Sequence, residues 1–413
     1  MRKRRLSETQ RKLAQNFTSL AFLKAVNVLV PLIVLPYSIK VMGLELYGTI
    51  VFATSIINYF VPLVDYSFGL TGTREIAKNR HIRKQLSLIS SKVYAVKFTL
   101  SILAFLILSI LILCIPSLRV NWVLYLTIFP MVVGNALFPD WFFQGIEDMG
   151  YISVANVLAK IVATTMIFIF LRTEADYLIY PLSFSVGAIV SGIIGFMVMR
   201  RKYHIRIFPV TIREVTRTIK VNFPVFVNQF FPTLYNNTTT FMLGAIALKS
   251  SVGIYDAVKK IVDLIDVLIG VVSRTVFPHI VLHKNDFDLY RKYMIVGFIP
   301  VCIFPVIVHK QLASLLSLGS CDPLPLLLIL LPGLYALVIY NVYGTNYFIS
   351  RGYDKIVMRT TIIASLIGFC CAYPFVSFFG ILGAAFNLTL SRILMAVPLV
   401  YCYKHKTYVD IEH

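Results

Sequence analysis

Long apolar runs, separated by short polar or basic stretches, recur from one end of the chain to the other. Twelve have roughly the 20 residues that an α-helix needs to cross a bilayer core. They lie near 17–39, 46–68, 92–115, 122–143, 151–171, 177–199, 221–247, 254–278, 293–309, 324–349, 356–379 and 381–403, the run at 293–309 being the shortest. Backbone in hydrocarbon has no water to bond, so each run is expected to satisfy its own hydrogen bonds as a helix. Strands of a membrane barrel would alternate apolar and polar positions, and these runs do not.

Composition narrows the class further. Of 413 residues, 58% are apolar and 14% are charged, against about 25% charged in an ordinary soluble domain. Mean hydropathy is +0.79. These values exclude a water-soluble fold, and an aromatic content of 14% excludes a disordered chain. The predicted class is an all-α integral membrane protein with about 12 transmembrane helices.

The net charge of +20 could point to nucleic acid, but the cations sit in loops between apolar runs, which is a membrane-topology pattern. With the N-terminus in the cytoplasm, the tail, the loops after spans two and six and the later inner loops together carry 27 Lys and Arg. The outer loops carry 5, namely Lys40, Arg119, Arg172, Lys249 and Lys310. Both termini are therefore expected in the cytoplasm, with no nucleic-acid partner. Every outer loop is short, the longest lying near 310–323, so none holds a soluble domain. The first apolar run has no small-residue cleavage site, and no cleavable signal peptide is expected. The six cysteines show neither CxxC spacing nor a Cys/His cluster, so no disulfide framework, metal or cofactor is expected.

Two stretches repeat at an offset of half the chain. In 141–152 (WFFQGIEDMGYI) and 348–359 (FISRGYDKIVMR), Gly145 corresponds to Gly352 and Glu147 to Asp354. Tyr47-Gly48 and Gly253-Ile254-Tyr255 stand at nearly the same separation. The most basic loop, 200–220, falls at the midpoint. The expected organisation is a basic tail (1–16), a six-helix lobe (17–199), a basic linker (200–220), a second six-helix lobe (221–403) and a short tail (404–413). With an even number of spans each, the lobes are parallel repeats, a known transporter design.

A charge at bilayer depth costs at least about 2.5–3.5 kcal/mol and should face protein or a water-filled cavity. Lys24, Asn27, Asp65, Lys97 and Asp140 fall within or at the ends of early spans. Lys24, Asp65 and Lys97 stand near enough to span ends to snorkel to the interface. Asn156 and Lys160 share one face of span five, and Asn387 and Arg392 belong to span twelve. Span seven holds Asn228 and Asn236. In span eight, Asp256, Lys259, Lys260 and Asp263 fall at i, i+3, i+4 and i+7, and Arg274 extends the stripe. That spacing allows Asp256–Lys260 and Lys259–Asp263 pairs. Deep cations would suit an anionic phosphate or diphosphate, and the amides and hydroxyls beside them would suit sugar.

Five stretches, Pro31–Tyr37 with Tyr47-Gly48, Phe68–Ala77, Trp141–Met149, Val252–Ile261 and Asn341–Gly344, resemble in order and spacing the bacterial O-antigen and polysaccharide flippases of the Wzx type. These belong to the multidrug/oligosaccharidyl-lipid/polysaccharide exporter superfamily. The resemblance covers roughly 20–400. It implies two six-helix lobes around a cavity open alternately to each side of the inner membrane, and a substrate of oligosaccharide on undecaprenyl diphosphate. It also implies work beside an O-antigen polymerase and a chain-length regulator, with H+ or Na+ coupling as one energy source. By depth and lobe, Lys24, Lys160, Arg274 and Arg392 would be substrate cations, and Lys259 or its neighbour Lys260 stands where family members often carry another. Asp65, Asp140, Asp256 and Asp263 would be the ion-coupling carboxylates, and Asn27, Asn156, Asn228, Asn236 and Asn387 the polar lining. Other readings stay open: a flippase for capsule or exopolysaccharide glycans, a multidrug/cation antiporter, and a membrane-embedded polymerase. The deep cations argue against organic cations. The short outer loops, and the absence of a nucleophile elbow or phosphate-cradling glycine loop, argue against an enzyme.

Overall fold

The computed structural model describes residues 8–282, 284–319 and 321–405. Among them there is no strand, and eight helical stretches are long and apolar enough to cross a membrane. The helix Arg83–Cys114 shows what those stretches are built for. It buries Ser87, Ser90, Ser91, Lys97 and Ser101 while exposing Phe98, Leu106, Ile110 and Leu113. Polar residues inward and large apolar residues outward is the reverse of a water-soluble helix, and it is stable only with lipid outside. The chain is a multi-pass, all-α membrane protein.

The first two expected spans run into one helical stretch, Glu8–Asp65, broken only at Gly43 (φ 76°, ψ 165°). The last two do the same in Asp354–His405, broken at Gly380 (φ 54°, ψ −127°). Asn387 donates to the carbonyl of Gly368 at 3.0 Å, and Phe375 packs edge-on against Phe386. Residues 19 apart on a straight helix would be about 28 Å apart, so the chain reverses at Gly380. A positive φ there suits glycine.

The described residues cluster into two compact units. One comprises 56–230 with the residues before 31, and the other comprises 31–55 and 231–413. In the first unit, Pro130–Leu137 and Gly150–Phe170 both pack along Ile179–Arg201. The approach is close enough that a Cβ on Gly192 would lie 2.6 Å from the carbonyl oxygen of Gly134. Small residues at such crossings replace the hydrophobic drive that lipid removes. Beyond the end of Ile179–Arg201, Lys202 donates to the Tyr151 hydroxyl at 2.7 Å and Tyr203 to Asp148 at 2.6 Å. Burial, and then the bond to Asp148, push the Tyr203 hydroxyl up to about 12.

In the second unit, Leu324–Tyr340 packs along Asp354–His405. Its continuation, Asn341–Phe348, widens into a π-helix. There the buried Asn346 donates to the hydroxyls of Ser273 and Tyr290 at 2.6 and 2.7 Å. Gly253 meets the carbonyl of Leu44, so two of the glycines from the sequence repeat lie at one helix contact.

Gly192→Leu should overpack the first unit by about 1–3 kcal/mol or more, because the atom it meets is backbone. Fluorescence-detected size exclusion of the solubilised protein is expected to show loss of the monodisperse peak and a lowered melting temperature.

Candidate functional site

Two polar constructions lie at membrane depth, one in each unit. In the second unit the stripe on Lys249–Leu282 forms both pairs that its spacing allows. Lys260 meets Asp256 at 2.9 Å and Lys259 meets Asp263 at 2.8 Å. Two groups from elsewhere in the unit complete it. The Tyr47 hydroxyl donates to Asp256 and accepts from Lys260 at 2.5 Å. The guanidinium of Arg392 approaches the second oxygen of Asp263 at 3.5 Å through Nη2. Arg392 is 3% exposed, and its Nε and Nη1 have no hydrogen-bond partner, nor does the fully buried Tyr255 hydroxyl. Three cations therefore face two carboxylates. Unanswered donors on a buried guanidinium are costly, and their chemistry suits an anion.

Arg274 stands three turns beyond Asp263, exposed, and is not brought to this cluster. Asn387 is fully buried and is tied to Thr239 at 2.9 Å as well as to Gly368. The side chains of Lys24, Asn27, Asn228 and Asn236 lie outside the described residues.

In the first unit, two residues of left-handed backbone, Tyr66 (φ 48°) and Ser67 (φ 60°), end the helix just after Asp65. Tyr66 is held there by stacking on Phe226 at 4.5 Å and by a hydrogen bond to the carbonyl of Ile219 at 3.2 Å. The turn leaves Asp65 at a helix C-terminus, where the dipole disfavours an anion. Lys97 answers it at 2.8 Å. The expectation that Lys97 snorkels to the interface is not met: it is 1% exposed, because the nearby carboxylate satisfies it inside the protein. Asp140 stands close by, since a Cβ on Gly69 would sit 3.7 Å from the Asp65 carboxylate and 3.8 Å from that of Asp140.

Span four does not run straight. Pro130 and Pro139 divide it into Trp122–Ile128, Pro130–Leu137 and Asp140–Gly145. Proline has no N–H and cannot continue the helical ladder. The breaks open a cavity of about 370 Å³ lined by Asp65, Asn135, Asp140, Gln144 and Asn156 among apolar side chains. A second cavity of about 320 Å³ shares Asn135, Phe138 and Asn156 and carries Lys160, whose ammonium lies 5.4 Å from the Phe184 ring centre. Asn135, Gln144 and Tyr47 escaped the sequence reading as site residues. The paired prolines around Asn135 were the signal available for it, since broken helices mark binding sites in transporters. No group of three metal-binding side chains occurs among the described residues.

A family model described as "Polysaccharide biosynthesis protein" matches residues 13–282. The chain belongs to that family. A protein of Escherichia coli (strain K12) named "Putative O-antigen transporter" is 26% identical over 407 residues, covering 96% of this chain and 98% of that one. A protein of the same name from Shigella dysenteriae is 23% identical, covering 94% and 100%. Among solved structures, the lipid II flippase MurJ in an inward closed conformation aligns with a TM-score of 0.72 at 16% identity, over 97% of this chain and 89% of that one. An inward-facing multidrug MATE transporter of the MOP superfamily aligns with a TM-score of 0.68 at 14% identity, over 93% and 95%. The fold of this family member is that of membrane transporters, and the protein is a transporter, not an enzyme.

Lys97→Met leaves Asp65 and Asp140 without their cation. The expected loss of stability is about 3 kcal/mol, the low end for breaking a buried pair, because Asp65 keeps some exposure. Asp65→Asn in the same chain should recover most of it. A double-mutant cycle on thermal unfolding in detergent checks both.

Proposed function

We propose that the protein is a flippase that carries undecaprenyl-diphosphate-linked O-antigen oligosaccharide from the cytoplasmic to the periplasmic leaflet of the bacterial inner membrane. The observation that carries the reading is the buried guanidinium of Arg392, with Nε and Nη1 unanswered, in a cluster with one cation in excess. Arginine binds phosphate oxygens by charge and by a planar fork of donors, and a diphosphate is the anion of the right chemistry for it. The O-antigen naming of the relatives supports the substrate class.

In this reading the diphosphate competes with Asp263 for Arg392, and that exchange makes the site respond to occupancy. Substrate shifts the balance between inward-open and outward-open forms through its different contacts in each. The polyprenyl tail stays in lipid, and no bond is made or broken. Asp263, which holds Lys259 and Arg392 at once, is the first carboxylate to weigh for ion coupling. Asp65, Asp140 and Asp256 are the remaining carboxylates to weigh for coupling to H+ or Na+. The excess of cations in one set of loops supports both termini in the cytoplasm. The polymerase and chain-length regulator of the same surface polysaccharide are the expected working partners.

Arg392→Ala is expected to reduce surface polysaccharide at least tenfold at unchanged protein abundance, and Arg392→Lys to keep part of it. Gel analysis of the polysaccharide beside an immunoblot checks this. In a strain deleted for the gene, complete single oligosaccharide units on their lipid should accumulate on the cytoplasmic face. Units that reach the periplasm but stay unpolymerised would instead favour the polymerase reading. Altered drug sensitivity with normal lipid-linked sugar would favour the multidrug branch.

A further inference from the structure

The two cavities of the first unit share the wall residues Asn135, Phe138 and Asn156, so they adjoin as a recess of two compartments, acids lining one and a lysine the other. Its charges balance. Asp65 and Asp140 stand against Lys97, bonded to Asp65 at 2.8 Å, and Lys160. A recess that is neutral in sum does not select an anion, whereas the second unit's cluster, with three cations to two carboxylates, does.

The recess is nonetheless strongly polar. Asn135 is exposed on a helix within a membrane-crossing stretch, and it lines both cavities, so it faces the recess, which must be wet. The side-chain amides of Asn135 and Gln144 have no hydrogen-bond partner among the described residues. Asn156 gives its amide hydrogen to the Ile152 carbonyl at 2.8 Å, which leaves its oxygen for a ligand. The recess thus offers donors and acceptors from amides, and acceptors from carboxylates. The rings of Phe138 and Phe184 offer an apolar surface. Hydroxyl groups around an otherwise apolar ring match that set, and each cavity is of ligand size.

We infer that this recess is a subsite for a sugar ring of the transported glycan, read by Asn135, Gln144 and Asn156, separate from the anion site at Arg392. The inference rests on the flippase reading and deepens it by naming where a sugar of the glycan is held. Asn135 and Gln144 would then decide which glycans are accepted. A site built to hydrogen-bond hydroxyls discriminates strongly against ligands that lack them.

The test uses the full chain in nanodiscs and two probes, farnesyl diphosphate and the lipid-linked oligosaccharide extracted from a strain deleted for the gene. The wild type is expected to bind the oligosaccharide lipid at least tenfold more tightly than farnesyl diphosphate. Asn135→Ala and Gln144→Leu should each weaken the former by about tenfold, as expected for one good hydrogen bond lost. Binding of farnesyl diphosphate should not change, and Arg392→Ala should weaken both. Equal loss for both lipids, or no loss for either, at an unchanged melting temperature overturns the subsite. Where either variant lowers the melting temperature, Asn135→Asp or Gln144→Glu replaces it under the same criterion. A wild type that binds both lipids equally overturns the subsite alone. One that binds neither overturns the flippase reading and the subsite with it.

Discussion

A carboxylate carried into a bilayer must find its counter-charge within the same chain, and both units are arranged around that requirement. Asp65 is met by Lys97 across two helices of the first unit. Asp256 and Asp263 are met by lysines one turn along their own helix, then by Tyr47 and Arg392 from elsewhere in the second. These contacts are not chiefly a source of stability. A buried ion pair often does no better than an apolar pair of equal volume, and its value lies in what it holds in place. Here they fix which faces of their helices turn inward, and so where polar cavities can exist.

The backbone departs from regular helix next to those charges. The left-handed pair Tyr66–Ser67 follows Asp65, the prolines at 130 and 139 bracket Asn135, and the π-helix 341–348 buries Asn346. Irregular backbone at membrane depth is tolerated only where it is enclosed in protein or lines a wet cavity. Each departure frees carbonyls or redirects a polar side chain, and the Asn135 case opens directly into the recess of the first unit.

What the sequence disclosed followed the range of each interaction. The stripe Asp256-Lys259-Lys260-Asp263 was legible with both its pairs, because they recur at helical spacing on one element. The membrane class was legible because it is a property of sums. Lys97 was misplaced because its partner stands 32 residues earlier and no local pattern points there. The bond from Tyr47 to Asp256 spans 209 residues and was out of reach, although the repeat had drawn Tyr47 and Tyr255 together. The break at Gly43 and the reversal at Gly380 were visible only as gaps between apolar runs, since a single glycine suffices for each.

The contrast between the two acids also bears on how the protein is made. A chain enters the membrane from its N-terminal end, so Asp65 emerges before Lys97 has been synthesised, and its own helix offers no cation within a turn. Asp65 is therefore without a counter-charge on its own helix until the next span supplies one. Asp263 is different. Lys259 lies one turn before it and accompanies it from the ribosome onward, long before Arg392 is made. One carboxylate thus takes its cation from the following span, while the other carries one on its own helix and acquires its second only from the last helix.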